Sequence, residues 1–384
     1  MVTNSVTRIG ILGDGITARA IRSFVSQSGD HIETSIDTAE LIVTSPGIPP
    51  NQWPETGIQI ISDIEFAYRL LKKESPQRCI IGITGTNGKT TVASGVAHAL
   101  SVNAYGNIGV PLIHALTDAS EHNIIVLELS SFQLFSSPTL HCDIAVVLNV
   151  AVDHLEWHGS FDAYKSAKKR LIKSENQRLY IPKDIENDMA LNHGDIIPID
   201  SLPVPKWEQF IGRHNQLNAA VIQAIATSCG MNNSELDQRM LSYNLPSFRC
   251  ERVFSNGNIT IINDSKATNP SATMAAVRGL TEEVILILCG QPKSDYSHEW
   301  MAKILTACHK VYAAGYLHDH QHVFPDGVVD QITFFPTLKD ATAAAINNMI
   351  QGTILFSPSA ASFDEFDDYM ARGRAFNEYV QDAF

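Results

Sequence analysis

The chain has 384 residues, of which 44% are hydrophobic and 18% charged, a composition that supports packed cores and excludes a disordered or low-complexity protein. A domain holds roughly 100–200 residues, so two to four domains are expected. The formal net charge of −13 argues against a general binder of nucleic acid or anionic membrane, which needs clustered Lys and Arg, but leaves room for a small anionic ligand.

Strand and helix patterns alternate along the whole chain. Arg8–Leu12 reads as a short strand, followed by a turn and a helix near Thr17–Ser28. The turn, Gly13-Asp14-Gly15-Ile16-Thr17-Ala18, fits G-x-G-x-x-A, a dinucleotide-type pattern that is weak alone, with Asp37 the nearest acidic partner. Leu41–Thr44 is a strand ending in Ser45-Pro46-Gly47, and Glu74-Ser75-Pro76-Gln77 reads as a linker. Cys79–Thr84 is a buried strand with the helix Thr90–Leu100 after it, and Asn123–Leu129 and Ile144–Val150 are apolar strands. Tyr164–Ser174 reads as a basic helix, and Asn215–Cys229 as a helix with an apolar stripe at Leu217, Val221, Ala224 and Ile225. A second linker is expected at Asn244–Ser247, then strands at Asn258–Asn263, Val284–Cys289, Lys310–Ala314 and Gly352–Phe356. This alternation predicts parallel α/β sheets, and the linkers divide the chain into 1–77, 78–244 and 245–384.

The six cysteines contain no CxxC pair and are expected to be reduced, which points to the cytoplasm. The N-terminal residues lack a signal-peptide pattern, and no apolar run reaches the ~18 residues of a membrane helix.

One segment carries the strongest chemistry. Gly82-Ile83-Thr84-Gly85-Thr86-Asn87-Gly88-Lys89-Thr90-Thr91 is a glycine-bearing loop between a strand and a helix. Glycines let the backbone approach a phosphate chain, and N–H groups at the helix start face the anion. Lys89 then supplies charge to the outer phosphates and the Thr90 hydroxyl is suited to Mg²⁺, as in a Walker loop, although Ile83 stands where that pattern has Gly. ATP is therefore the expected ligand. Glu128 ends the strand within Leu127-Glu128-Leu129, where a charge meets ligands of an α/β sheet and Mg²⁺ finds a hard oxygen. Asp153-His154 follows the next strand; His154 alone reads as a loop residue, but it shares a sheet edge with Glu128. Lys165 and Lys169 read as a solvated basic face, which is also the bland reading of Lys168 between them. Two late strand ends, Asn263–Pro270 and Ser357–Asp364, are dense in small hydroxyls, and suit either a helix N-cap or the binding of a carboxylate and a phosphate.

Together these segments resemble the Mur ligases nearly end to end. The markers are SPGI at Ser45–Ile48, GITGTNGKTT, GNIGVP at Gly106–Pro111, LELSSFQL at Leu127–Leu134, LNVAVDHLEWHG at Leu148–Gly159, HNQLNAA at His214–Ala220, FRCE at Phe248–Glu251, NDSKATNP, and SPSAASFDEF at Ser357–Phe366. LELSSFQL, NDSKATN and SPSAASFDEF point to the branch that adds D-glutamate to UDP-N-acetylmuramoyl-L-alanine in peptidoglycan precursor synthesis.

The resemblance implies three α/β domains: a short Rossmann-like domain for the UDP substrate, a central P-loop-type ATPase domain, and a Rossmann-like C-terminal domain for D-glutamate. It also implies an acyl-phosphate route with ATP and two Mg²⁺ ions, in a monomer. The ATP site it implies comprises Gly85, Thr86, Asn87, Gly88, Lys89, Thr90, Thr91, Asn215, Asn218, Arg249 and Asp264. Metal would be held by Thr90, Glu128, His154 and Lys168, the last matching a lysine that is carbamylated in the family, and Lys266 is implied as catalytic. Ile16, Thr17, Ser45 and Gly47 would line the UDP site; Asn107 and His154 would meet the muramoyl part; Thr268, Lys293, Ser362, Phe363 and Tyr369 would surround D-glutamate.

Some positions depart from the family. Little room is left before Leu41 for the usual second strand, and the segment that contacts uracil has no clear counterpart. Phe248 stands where His is common, and Gln291-Pro292 replaces a stretch rich in Gly and Asp. Another Mur ligase or a folylpolyglutamate synthase is the nearest alternative, and NDSKATN argues against both. A nicotinamide-dependent oxidoreductase, suggested by Gly13-Asp14-Gly15, leaves the ATP loop and Glu128 unexplained.

Overall fold

Apolar segments such as Cys79–Thr84 and Val284–Cys289 have no polar face, so each needs cover on both sides, which a parallel sheet between helix layers supplies. A computed structural model, which describes residues 7–118, 123–173, 176–189, 195–280 and 282–384, contains three sheets. The first runs β1 (Thr7–Leu12), α1 (Ile16–Gln27), β2 (His31–Thr34), β3 (Leu41–Thr44), β4 (Ile60–Ser62) and α2 (Asp63–Glu74), with strand order β2-β1-β3-β4.

The second sheet begins with β5 (Cys79–Thr84), α3 (Lys89–Leu100), β6 (Ala104–Gly106), β7 (Ile124–Glu128), α4 (Ser131–Phe135) and β8 (Ile144–Val147). It continues with α5 (Leu155–His158), α6 (Phe161–Lys169), β9 (Arg178–Ile181), α7 (Lys183–Met189) and β10 (Asp195–Pro198), in the order β10-β9-β8-β5-β7-β6. Two helices follow, α8 (Arg213–Ser228) and α9 (Asn233–Met240).

The third sheet comprises β11 (Glu251–Ser255), β12 (Ile259–Asn263), α10 (Pro270–Arg278), β13 (Val284–Cys289), α11 (His298–Ala307), β14 (Lys310–Ala314) and α12 (Tyr316–Asp319). β15 (Ile332–Phe335), α13 (Leu338–Asn348), β16 (Gly352–Phe356) and α14 (Tyr369–Gln381) complete it, in the order β11-β12-β16-β13-β14-β15.

Several expectations change. The stretch before Leu41 does hold a second strand: β2 pairs parallel to β1 from Thr7↔His31 to Gly10↔Thr34. Its sequence, HIET, is a half-exposed edge segment with no apolar run to announce it. The third sheet is not wholly parallel, because β11 runs antiparallel to β12. The basic helix starts earlier, at Phe161, where the Ser160 hydroxyl accepts from the Ala163 N–H, and it ends at Lys169; Ser174, its expected end, lies outside the described residues. On α8, Val221 and Ile225 are buried, Leu217 and Ala224 only partly so, and Ala219, Ala220, Ile222 and Ala226 complete the apolar face.

The chain forms two compact units. One comprises Met1–Pro205 with Leu217–Tyr243 and holds the first two sheets. The other comprises Lys206–Gln216 with Asn244–Phe384 and holds the third. In the first unit an apolar core joins Ile9, Val43 and Ile61 of the first sheet to Ile80, Leu127 and Val147 of the second. Fully buried Glu65 on α2 strengthens this join, accepting from the N–H groups of Thr139 and Leu140 at 3.1 and 3.0 Å. All six cysteines are free, and among the described residues no helix is long and apolar enough to cross a membrane.

Candidate active site

The glycine-bearing loop leaves the C-terminal end of β5 and enters α3 at Lys89. Gly88 adopts φ +87°, a left-handed conformation that favours glycine, and a Cβ there would sit 2.7 Å from Asn218 Oδ1. Asn218 of α8 therefore lies against the loop. Lys89 Nζ turns back onto the loop and donates to the carbonyls of Gly85 and Thr86, each at 2.9 Å. Thr90 and Thr91 open α3, and Thr91 is buried.

β5 is flanked by β7 and β8, so the C-terminal ends of these two strands lie on either side of the loop. Glu128 is the last residue of β7, paired with Ile83, and is 1% exposed. Its Oε1 accepts from Asn107 Nδ2 at 2.7 Å, and the Asn107 N–H donates to the Glu128 carbonyl at 2.9 Å. Its Oε2 is buried with no hydrogen-bond partner. A buried, unsatisfied carboxylate oxygen is expensive, and a hard divalent cation is the ligand that suits it.

His154 lies beyond β8 at φ +54°, capping α5. Its ring is near Asp153 and Glu156, at 3.7 and 3.5 Å, and meets Phe132 edge-on at 4.8 Å. Lys168 departs from the solvated-face reading. It is 1% exposed, its Nζ donates to the Gly85 carbonyl at 2.8 Å, and it lies 4.5 Å from the Tyr164 ring centre. Burial, reinforced by nearby Lys89, pushes its amine well below the usual lysine range. Lys165 keeps the bland role, pairing with Asp188 at 2.6 Å, and Lys169 is exposed. Trp157 and His158 pack with Phe132, Phe135 and Tyr164; burial lowers the His158 pKa to about 4.

Two residues here escaped the sequence reading. Tyr164, 1% exposed, joins its hydroxyl to Thr86 Oγ1 at 2.9 Å. Asn149 meets the backbone of Asn87. Asn149 reaches the loop because β8 lies beside β5, and Tyr164 because α6 turns its buried face there; the sequence signal for both was closeness to Asp153-His154.

On the first sheet, Ile16 and Thr17 open α1 after β1, and Ser45 and Gly47 follow the adjacent β3. The Ser45 N–H donates to the Leu12 carbonyl at 2.9 Å, while its buried Oγ has no partner, and Ile16 is 61% exposed. Asp14 pairs with Arg22 at 2.7 Å, and Asp37 is exposed in a turn after β2.

In the second unit, Asp264, Lys266 and Thr268 follow β12, Ser362, Phe363 and Tyr369 follow β16, and Lys293 follows β13; these three strands are neighbours. Asp264 accepts from the Cys250 N–H at 3.2 Å and from Ser357 Oγ at 2.8 Å, and burial raises its pKa to about 7. Lys266 Nζ sits 4.0 Å from the Tyr369 ring centre. Gln291 and Ala361 exchange two backbone hydrogen bonds, each 2.9 Å, which ties the segment carrying Lys293 to that carrying Ser362. Phe363 is 75% exposed. Arg249 lies between Phe248 and Cys250, both at positive φ, and Phe248 packs so closely on Gly373 that a Cβ there would meet its ring at 2.4 Å. Asn215 Nδ2 donates to the Ile211 carbonyl at 3.2 Å.

Arg372 also escaped the sequence reading. Fully buried on α14, it donates to the Ser265, Cys289 and Ala360 carbonyls at 2.8, 2.9 and 3.0 Å, fastening three strand ends together.

Residues 83–195 match the Mur ligase middle domain, and residues 248–360 match the Mur ligase, glutamate ligase domain. A UDP-N-acetylmuramoylalanine--D-glutamate ligase of Zymomonas mobilis is 32% identical over 371 residues, covering 88% of this chain and 82% of that protein. Its namesake from Shewanella oneidensis is 33% identical over 384 residues, covering 89% and 84%. Among solved structures, the MurF ligase of Thermotoga maritima in complex with ADP superposes with a TM-score of 0.66 at 13% identity, covering all of both chains. The folylpolyglutamate synthase of Mycobacterium tuberculosis complexed with ADP and AMPPCP gives 0.59 at 14% identity, covering 81% of this chain and 95% of that one. At such identities these two structures speak for the fold alone.

Proposed function

The chain belongs to the Mur ligase family, and from that premise we propose that it is the ATP-dependent ligase that joins D-glutamate to UDP-N-acetylmuramoyl-L-alanine in peptidoglycan precursor synthesis. The observation that carries this reading is that Lys89 and buried Lys168 both donate to the Gly85 carbonyl of the loop after β5, while buried Glu128 ends the neighbouring strand β7, in a chain whose relatives bear that ligase's name.

A carboxylate is a poor electrophile until one oxygen becomes a leaving group. In the proposed reaction the substrate carboxylate attacks the γ-phosphorus of ATP, ADP leaves, and an acyl phosphate forms. The D-glutamate amine then attacks the acyl carbon, and phosphate departs from the tetrahedral intermediate as the amide forms. The first step brings anions together, so charge must be offset where it develops. Lys89 turns from the Gly85 and Thr86 carbonyls to the γ-phosphate, and the N-terminal turn of α3 faces the phosphate chain. Asn218 flanks the nucleotide loop.

Thr90 and Glu128 would hold one Mg²⁺, and the orphaned Glu128 Oε2 fits that role. His154 and a carbamylated Lys168 would hold a second. A free lysine amine only donates hydrogen bonds when charged; burial favours the neutral amine that carbon dioxide can modify. Bound there, Mg²⁺ supplies charge neutralisation on the transferring phosphoryl group. Asn107 and His154 meet the muramoyl substrate, whose UDP end lies over Ile16, Thr17, Ser45 and Gly47. In the second unit, Asn215, Arg249, Asp264 and Lys266 serve the nucleotide and the reacting groups, and Thr268, Lys293, Ser362, Phe363 and Tyr369 take D-glutamate. The corresponding domains are 1–77, 78–244 and 245–384, in a cytoplasmic monomer.

The deciding experiment is phosphate release from ATP with UDP-N-acetylmuramoyl-L-alanine and each candidate amino acid. Release is expected with D-glutamate; release only with another acceptor overturns the reading. Lys89→Ala is expected to abolish release, and a near-normal rate would remove Lys89 from the mechanism.

A further inference from the structure

We propose that Asn149 is a positioning residue that sets the phosphate loop for nucleotide binding, an inference that rests on the ATP reading above. The β5–β8 ladder ends with Thr84 against Val147, and backbone pairing continues one step, the Leu148 N–H donating to the Thr84 carbonyl at 3.0 Å. Beyond that point the loop departs from strand geometry, yet it remains attached to the segment after β8. The Thr86 N–H donates to the Asn149 carbonyl at 3.0 Å. The Asn149 side chain then replaces a strand partner: its Oδ1 accepts from the Asn87 N–H at 2.9 Å, and its Nδ2 donates to the Asn87 carbonyl at 3.1 Å.

A primary amide offers a donor and an acceptor on neighbouring atoms, one for each backbone group of Asn87. Aspartate keeps the acceptor, loses the donor and adds a negative charge. Glutamine places the same groups one methylene too far. The N–H groups of Thr86 and Asn87 are thereby directed at Asn149, and α3 begins two residues later, after the left-handed Gly88. Thr86 adds a second tie, its Oγ1 accepting from the Ala151 N–H at 2.9 Å. The loop is thus held by residues 149–151, which lead directly to His154.

The test uses the full chain with Asn149→Ala and the near-isosteric Asn149→Asp. It combines calorimetric titration of ADP, the KM values for ATP and D-glutamate, and thermal melting. Loss of two hydrogen bonds is expected to weaken ADP binding and raise KM for ATP roughly 10–100-fold, with KM for D-glutamate unchanged. Asn149→Asp is expected to bind ADP more weakly than Asn149→Ala, because it loses the donor to the Asn87 carbonyl and adds a negative charge against a loop that takes up an anion. Wild-type affinity for ADP in either variant overturns the inference, and so does a lowered melting temperature in Asn149→Ala with KM for ATP intact. A wild-type chain that binds no ADP overturns the nucleotide reading and this inference with it. A wild-type chain that binds ADP, with weakened variants but no D-glutamate-dependent phosphate release, sinks only the substrate assignment.

Discussion

Replacing Glu128 by glutamine is expected to remove activity while raising the stability of the ligand-free protein. Glu128 is 1% exposed and satisfies one carboxylate oxygen through Asn107 at 2.7 Å, leaving the other buried and unpartnered. Glutamine can keep the Asn107 bond through its carbonyl and exchanges an orphaned charge for an orphaned neutral amide. An unsatisfied buried group costs about 1–3 kcal/mol, and more when charged, so the exchange is worth ~1–2 kcal/mol. For a cooperative unit of 150–250 residues, that corresponds to a melting temperature about 2–8 °C higher. The same change removes the hard anionic oxygen proposed for Mg²⁺, so phosphate release is expected to vanish. The melts are run without metal or nucleotide and repeated with Mg²⁺ and ADP, which are expected to stabilise the wild type by ~2.7 kcal/mol at 100 times their Kd and the variant by less. A variant that melts below the wild type without ligands shows that the protein itself satisfies Oε2. One that retains phosphate release shows that Glu128 holds no essential cation. Either result refutes the argument.

Lys168→Ala is expected to be inactive and to recover partly with short carboxylic acids, which replace a carbamate; inactivity without any recovery removes the best support for carbamylation. Asp264, raised to about 7 by burial, binds a proton more tightly folded than unfolded. Its contribution to stability is therefore full below the ordinary carboxylate range, from a reference of 3.8, and is lost as pH rises through about 7. Asp264→Asn is expected to flatten that part of the pH dependence of unfolding, and an unchanged profile would assign the dependence to another group such as Asp63, also raised to about 7. Arg372→Met is expected to cost ~3 kcal/mol or more, because the buried carbonyls of Ser265, Cys289 and Ala360 lose their donor; denaturant unfolding measures it, and a loss below ~1 kcal/mol would show that the pocket repacks or admits water.

The sequence alone determined the parts of this protein that local physics specifies. Cys79–Thr84, Val284–Cys289 and Gly352–Phe356 are apolar runs long enough to declare themselves as buried strands, and each was read with its observed ends. The loop at 85–88 was legible because glycines, a lysine and two threonines between a strand and a helix have few other uses. Short strands such as β2, β4 and β6 were not legible: β2 is four mixed, largely exposed residues, and β4 and β6 have only three residues each, too few for a periodic signal.

Only the tertiary structure decided which groups meet. Lys168 stands among Lys165 and Lys169 in sequence, yet it alone of the three is buried, because α6 turns that face toward the Gly85 carbonyl. Glu128 and Asn149 lie 21 residues apart, and the strand order β8-β5-β7 sets them on either side of one loop. Arg372 reads as an ordinary helix cation until the ends of β12, β13 and β16 are brought around it. Strand order is set by long-range packing of sheet faces, which no local segment encodes, and that order is what gathers these dispersed side chains at the strand ends.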